Sequence, residues 1–116
     1  MRNMSFALTI EQFNDGSKTV TRRQGWAFLK PGDKVMGVEK GMGLKKGEKV
    51  KKLHALRVTS VMRCRIDMIT QQDVVREGFP GRSPEWFIDM YCKANRCDPA
   101  DDCTRIQFEH LFEVTG

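Results

Sequence analysis

Hydrophobic and polar residues alternate between positions 56 and 66 and predict a long β-strand, because a strand repeats every two residues. One face would carry Leu56, Val58, Ser60, Met62, Cys64 and Ile66. The other face would carry Arg57, Thr59, Val61, Arg63 and Arg65. The pattern therefore predicts a strand whose outer face bears arginines.

A second alternation closes the chain and predicts a final strand. Its apolar phase comprises Ile106, Phe108, His110, Phe112 and Val114. Since His110 shares this phase, the pattern favours a hydrogen-bonded core histidine over a catalytic one. The other histidine, His54, follows a run of lysines and has no evident partner.

The segment 8–16 carries the signals of a short helix. Thr9 suits the N-cap, Gln12 lies where a capping-box partner belongs, and Gly16 suits the stop. This helix would deliver the chain directly into the polar stretch Ser17–Arg23.

Two further helices are predicted within a helical segment, 70–95. The first begins at the N-cap Thr70, has Asp73 at the capping-box position, carries Glu77 in its last turn and stops at Gly78. The second begins with Ser83 as N-cap and Pro84 as its first residue. Its stripe of large side chains is interpreted as core rather than as a ligand platform and comprises Trp86, Phe87, Met90 and Tyr91.

Between these regions, Pro31 and Gly32 predict a type II turn that leads into a strand over 34–40. The following loop, 40–52, is rich in glycine and lysine and has no apolar period. Strands outnumber helices in the centre of the chain and do not alternate with them regularly. The pattern favours an α+β fold, a small β-barrel with short helices packed at its rim, over a doubly wound sheet.

Composition narrows the class of protein. With 116 residues, of which 40% are hydrophobic, the chain suits one domain, 1–116. No apolar run is long enough for a membrane span, and the N-terminus turns polar too early for a secretory signal. We expect a cytoplasmic protein that does not engage a membrane.

Charge is distributed unevenly. Residues 1–65 hold fifteen Lys and Arg against five Asp and Glu, whereas residues 66–116 hold five against ten. A basic half can attract phosphates without regard to sequence. The alternative is that these charges only form a solvated face.

The four cysteines are expected to be free thiols, because no secretory signal accompanies them. Zinc ligation by Cys92, Cys97, Cys103 and His110 is an alternative. The gaps between these cysteines are wider than those of strong zinc signatures, so we predict no metal and no cofactor.

The stretch "GSKTVTRR" carries a resemblance to a known family. Gly16, Lys18, Thr21 and Arg23 fit the pattern G-x-K-x-x-T-x-R, and "EGF" follows at 77–79. Together with the "LKPGDKV", "VTSV" and "TRIQFEHL" segments, in this order, they resemble the ASCH domain, a branch of the PUA-like β-barrel superfamily. The resemblance runs from Ile10 to Val114 and is nearest to small ASCH proteins of phages and prophages.

The resemblance implies a cleft between barrel and helices that recognises RNA or a modified nucleoside. Some ASCH proteins are amidohydrolases that deacetylate N4-acetylcytidine with a Lys, Thr and Glu set, and others are ribonucleases or nucleic-acid binders. The matching residues here are Lys18, Thr21 and Glu77, and these are the candidate catalytic residues.

The chemistry of this trio is feasible. A threonine hydroxyl needs a base, and Lys18 can be that base if burial lowers its pKa. Glu77 would then orient Lys18 or pass a proton to the leaving group. Because residues three apart on a strand point to opposite faces, "KTVT" cannot be a plain strand throughout if Lys18 and Thr21 cooperate. The alternative is a structural salt bridge between Lys18 and Glu77, with Thr21 packed or capping a helix.

Other residues are candidates for binding. Arg22 and Arg23 are adjacent and should diverge, one toward the cleft and one toward solvent or phosphate. Trp26, Phe28 and Phe79 are candidates for stacking on a base, although each also suits a core. The loop candidates for phosphate binding are Lys45, Lys46, Lys49, Lys51 and Lys52. A different class of function, a protein-interaction adaptor, would use the acidic loop 97–103.

Overall fold

The computed structural model describes residues 1–41 and 44–112. It contains five strands, three α-helices and one short 3-10 helix, Ile66–Met68. The strands are β1 (Arg2–Ser5), β2 (Val20–Arg23), β3 (Lys34–Val38), β4 (Lys52–Arg65) and β5 (Asp102–Leu111). The α-helices are α1 (Ile10–Asn14), α2 (Gln71–Arg76) and α3 (Pro84–Asn95).

The five strands form one curled sheet in the order β1-β3-β4-β5-β2. Only β1 and β3 run parallel, and the other neighbours are antiparallel. β1 and β2 form the two edges, so the sheet is a half-barrel with a seam between them. The structure confirms the predicted α+β class and the small barrel with helices at its rim. Val114, which was predicted to belong to the final strand, lies outside the described residues.

The long central strand departs from the predicted alternation at one point. Leu56 and Val58 are buried as expected, but the register between β4 and β5 shifts at Thr59. A bulge of this kind moves every later side chain to the opposite face. Val61 consequently packs against the core, and Met62, predicted to face inward, is 51% exposed.

Two hydrophobic clusters stabilise the fold. The first fills the curve of the sheet and includes Phe6, Phe13, Leu56, Val58, Ile106 and Phe108. The second joins α2 and α3 to the sheet and includes Ile66, Val74, Phe87, Tyr91 and Cys103. Phe87 and Tyr91 are buried there, whereas Trp86 and Met90 are half-buried, so the prediction that the stripe on α3 is core holds for two of its four residues.

Helix caps were predictable for α2 and α3 but not for α1. The Thr70 and Ser83 hydroxyls accept hydrogen bonds from the backbone N–H of Asp73 and Trp86, as expected. The capping box predicted for α1 is wrong, because Thr9 makes no side-chain cap bond. The Gln12 amide instead donates to the Gly78 carbonyl at 3.1 Å and ties α1 to the end of α2.

Gly37 lies on β3 directly against a buried ring, and its replacement by alanine should destabilise the fold. A Cβ there would stand 2.4 Å from Phe13, a ring whose centroid is 4.1 Å from those of both Phe6 and His54. Because the ring cannot move aside, Gly37→Ala should lower the free energy of unfolding by about 1–3 kcal/mol. Gly41→Ala, whose Cβ meets only ordinary contacts, is the control in urea unfolding. Equal stability of the two variants would contradict the prediction.

Within the two described ranges, every helix is too short or too polar to cross a bilayer.

Candidate functional site

A cavity of about 260 Å³ lies in the seam between the two edges of the half-barrel. One wall is the end of β1 with the β1–α1 connection, residues 5–9, and the opposite wall is β2. The end of α2 and one side of α3 close it. Its polar and aromatic lining residues include Phe6, Thr21, Arg23, Glu77, Phe79 and Tyr91.

Lys18 lies in irregular backbone just before β2, so "KTVT" is not a plain strand throughout. Its backbone N–H donates to the Gln12 carbonyl, and the next residue, Thr19, donates to Arg76 at the end of α2. These bonds hold Lys18 beside the C-cap of α2. Its ammonium donates to the Glu77 backbone carbonyl and to Glu77 Oε1, both at 2.8 Å.

Glu77 is the C-cap of α2, and both of its carboxylate oxygens have cationic partners. Oε1 binds Lys18, and Oε2 accepts from Arg22 at 3.2 Å. Glu77 and Lys18 are each 3% exposed. Burial lowers the pKa of the Lys18 ammonium, while the adjacent carboxylate opposes the shift.

A second buried carboxylate, Asp73, extends this ionic cluster. It accepts from Arg22 at 2.7 Å, from Arg105 at 2.7 Å and from Arg76 at 3.0 Å. Burial opposes ionisation of Asp73, but hydrogen bonds from its three arginine partners outweigh burial and hold its pKa well below the ordinary value. Arg22 is thereby shared between Asp73 and Glu77.

Arg23 differs from Arg22 because none of the described residues offers it a carboxylate partner. Its guanidinium lies 4.8 Å from the centroid of the Phe6 ring, and its Nε donates to Thr21 Oγ1 at 3.1 Å. Burial lowers the pKa of Arg23 to about 10. The cavity wall therefore holds a half-buried cation, to which no carboxylate of the described residues is paired.

Thr21 is buried on β2, opposite Ile106 of β5. Its hydroxyl is bonded to Arg23, and among the described residues no hydrogen bond joins it to Lys18. Lys18 would have to release Glu77 before it could act as a base toward Thr21. The structure thus places the three candidate catalytic residues in one region, with Lys18 and Glu77 in direct contact.

The sequence matches no protein-family model, and no curated protein matches it. The fold is similar to that of protein EF3133 from Enterococcus faecalis V583, of the family model DUF984, with a TM-score of 0.64 and 13% identity over 98% of this chain and 81% of that one. The hypothetical protein PH0355 gives a TM-score of 0.62 and 17% identity over 95% and 96% of the two chains. The fold is also similar to that of an ASCH domain from Lactobacillus crispatus JV V101, with a TM-score of 0.69 and 13% identity over 97% of this chain and 80% of that one. This chain has the ASCH-domain fold.

Within this ASCH fold, the two adjacent arginines have separate surroundings, because successive residues of β2 point to opposite faces. Both line the cavity, but Arg22 is buried whereas Arg23 is half-buried. They also differ in partner, since Arg22 lies in the ionic cluster and Arg23 lies over an aromatic ring. The alternation of β2 separates the two side chains but leaves both at the seam.

Of the three candidate stacking residues, Phe79 lines the cavity of the ASCH fold and packs against Trp86. Trp26 has a left-handed backbone, with φ of 64°, and packs against the first core cluster away from the lining residues. Phe28 is half-exposed beneath the Arg2 guanidinium. The structure therefore brings only Phe79 of the three to the cavity.

The basic loop is the connection between β3 and β4, and residues 42 and 43 within it lie outside the described ranges. The five candidate lysines Lys45, Lys46, Lys49, Lys51 and Lys52 are exposed. The loop leaves the sheet where Val38 pairs with Lys52, and Val38 also pairs with Ser5 of β1. Because Ser5 belongs to the cavity wall, the root of the basic loop adjoins the cavity of the ASCH fold.

All four cysteines are free thiols, and Cys64 and Cys103 face each other across β4 and β5 at 3.7 Å. In the described part of the chain, no three potential ligands converge to hold a metal ion. The alternative zinc set does not assemble, because His110 is engaged elsewhere.

His110 and His54 form a hydrogen-bonded pair that sequence reasoning missed. His110 Nε2 lies 2.7 Å from the Lys18 carbonyl, which can only accept, so the proton is on Nε2. In a neutral His110 ring, Nδ1 then accepts from His54 Nε2, at 2.7 Å. His110 is the predicted hydrogen-bonded histidine, and it supports the backbone of Lys18.

Proposed function

We propose that the protein binds a nucleotide of RNA, or a modified nucleoside, in the seam cavity. The observation that carries this proposal is Arg23, a half-buried cation without a carboxylate partner in the described chain, set in a cavity with aromatic walls. Aromatic side chains suit a base, and a free guanidinium suits a phosphate or a base edge.

The size and surroundings of the cavity support a single nucleotide as the ligand. A volume of about 260 Å³ is near the lower end of ligand pockets and suits one base with its sugar. The adjoining basic loop would hold the phosphates of a longer RNA. The similarity in fold to an ASCH domain supports this proposal. The cytoplasmic location and the likeness to phage proteins stay predictions.

Replacement of Arg23 tests the proposal. Arg23→Gln removes the charge that would meet the ligand, so affinity for a short single-stranded RNA should fall about tenfold to a hundredfold. Fluorescence anisotropy with a labelled RNA measures the change. Arg57→Gln is the control, because Arg57 is an exposed cation paired with Glu109. A similar loss in both variants would mean that only overall charge matters, and the cavity would not be the site.

A second candidate function is hydrolysis of an acylated cytosine nucleoside. The specific observation in its favour is the buried contact of Lys18 with Glu77, combined with a lowered Lys18 pKa, beside the cavity that Thr21 lines. In this mechanism the neutral Lys18 amine would take the hydroxyl proton of Thr21. The Thr21 oxygen would attack the acyl carbon, and the C–N bond would break as Lys18 returns the proton to the leaving cytosine amine. Water would then hydrolyse the ester on Thr21, releasing the acid and restoring the hydroxyl.

Turnover of N4-acetylcytidine, followed by chromatography, tests this second function. Thr21→Ala should lose at least a hundredfold in rate, because the variant lacks the attacking oxygen. Thr21→Ser, which keeps a hydroxyl, should retain activity. Absence of turnover by the parent protein would exclude this activity and leave the binding proposal intact.

A further inference from the structure

The pattern of hydrogen bonds between β2 and β5 leaves the backbone N–H and C=O of one β2 residue free to face the seam. Phe108 N–H donates to the Thr19 carbonyl at 3.0 Å, and Val20 lies opposite Gln107. In an antiparallel ladder, paired residues alternate between hydrogen-bonded and non-hydrogen-bonded positions. Thr21 and Arg23 therefore bond to β5, whereas the N–H and C=O of Arg22 point away from β5, toward the seam.

The free backbone of Arg22 lies in a buried place. Arg22 is 6% exposed and belongs to the cavity lining. Across residues 1–41 and 44–112, neither its N–H nor its C=O has another backbone or side-chain partner outside the strand ladder. Buried backbone groups are nearly always paired in native proteins. A donor and an acceptor at this position therefore indicate a ligand that completes them.

The N–H and C=O of one extended residue lie side by side and point in the same direction. They offer an adjacent donor and acceptor to a partner in the plane of the sheet. Each of the four RNA bases carries an adjacent acceptor and donor on its hydrogen-bonding edge, as an amide or an amidine. The donor and acceptor of the strand residue therefore match the acceptor and donor of a base.

We infer that the Arg22 backbone N–H and C=O bind the hydrogen-bonding edge of a nucleobase, as the edge strand β2 would otherwise bind a neighbouring strand. This inference rests on the proposed function and names the group recognised. The base would lie in the plane of the half-barrel sheet, between the β1–α1 connection and β2. Arg23 would then face the sugar and phosphate side of the same ligand.

An added peptide strand would use the same edge, but the surroundings favour a base. β2 has only four residues, and α2 and α3 close the seam around the cavity. A cavity of about 260 Å³ holds one planar ring system rather than an extended chain.

Amide NMR of the full chain tests the inference with the four ribonucleoside 5′-monophosphates as probes. The Arg22 N–H should move downfield and exchange with solvent at least tenfold more slowly when one of them binds. The N–H groups of Thr21 and Arg23 are internal controls, because β5 already holds them. Ribose 5-phosphate, which has no base, should leave the Arg22 N–H unchanged.

The outcomes separate this inference from the proposed function. If amides of Leu8 or Phe79 respond to a nucleotide while the Arg22 N–H does not, the cavity binds nucleotides but reads the base by other groups, and the inference is wrong. The inference is also wrong if ribose 5-phosphate alone protects Arg22. If no cavity amide responds to any of the four nucleotides or to N4-acetylcytidine, the proposed function fails together with the inference.

Discussion

Glu77→Gln should lower the free energy of unfolding by about 3–5 kcal/mol, the usual result of removing one partner from a buried ion pair. The carboxylate of Glu77 neutralises both Lys18 and Arg22, and Lys18 has almost no contact with solvent. A glutamine amide keeps the shape of the side chain but leaves two buried cations without this counter-charge. Urea unfolding at neutral pH measures the loss.

Two further variants show whether the buried charge is the cause. In Lys18→Met/Glu77→Gln the unpaired Lys18 ammonium is gone, and Arg22 keeps its pair with Asp73, so this double variant should be more stable than Glu77→Gln alone. Glu109→Gln breaks the exposed pair with Arg57 and should change stability by at most about 1 kcal/mol. If Glu77→Gln were as stable as the parent protein, the salt bridge would have no structural role.

Asp73→Asn should also cost about 3–5 kcal/mol at neutral pH, because Arg22 and Arg105 would lose a buried carboxylate. It should in addition remove an acid-sensitive contribution to stability. The folded pKa of Asp73 is well below its ordinary 3.8, so the unfolded chain takes up this proton first as the pH falls. The stabilisation is present above pH 3.8 and declines as the pH falls below it.

Unfolding of both proteins from pH 7 down to pH 2 tests this prediction. The difference in stability between the parent and Asp73→Asn should be constant above pH 3.8 and shrink below it by up to about 1.4 kcal/mol per pH unit. Asp89→Asn is the matched control, since Asp89 pairs with Lys93 on the exposed face of α3. A difference that stays constant to pH 2 would show that Asp73 keeps an ordinary pKa in the fold.

Local signals in the sequence predicted those elements whose cause is local. The caps Thr70 and Ser83 were correct because a hydroxyl bonds to a backbone N–H three residues away. The bulge at Thr59 was not predictable, since it depends on the partner strand β5 and leaves no mark on the alternation itself. Gln12 was misassigned for a similar reason, because its partner, Gly78, is 66 residues away.

The candidate site was predictable in part. The resemblance to the ASCH domain joined Lys18 with Glu77, and the structure brings their side chains into contact. Asp73 was interpreted only as a capping residue, although it also anchors Arg22 and Arg105. Arg105 lies in the "TRIQFEHL" segment of the resemblance, but only its cross-strand position opposite Arg22 could have indicated a role. Ionic clusters of this kind depend on register, which a single sequence does not display.

The seam of the half-barrel has a consequence for solubility during folding. An open sheet exposes two strand edges, and uncovered edges are templates for aggregation with other chains. Here β2 is shielded by the helices around the cavity, while β1 has only four residues. The cavity is the portion of the seam that these elements do not fill. A ligand seated there would act as an additional shield for β2, so the chain's resistance to self-association should depend on whether its binding site is occupied.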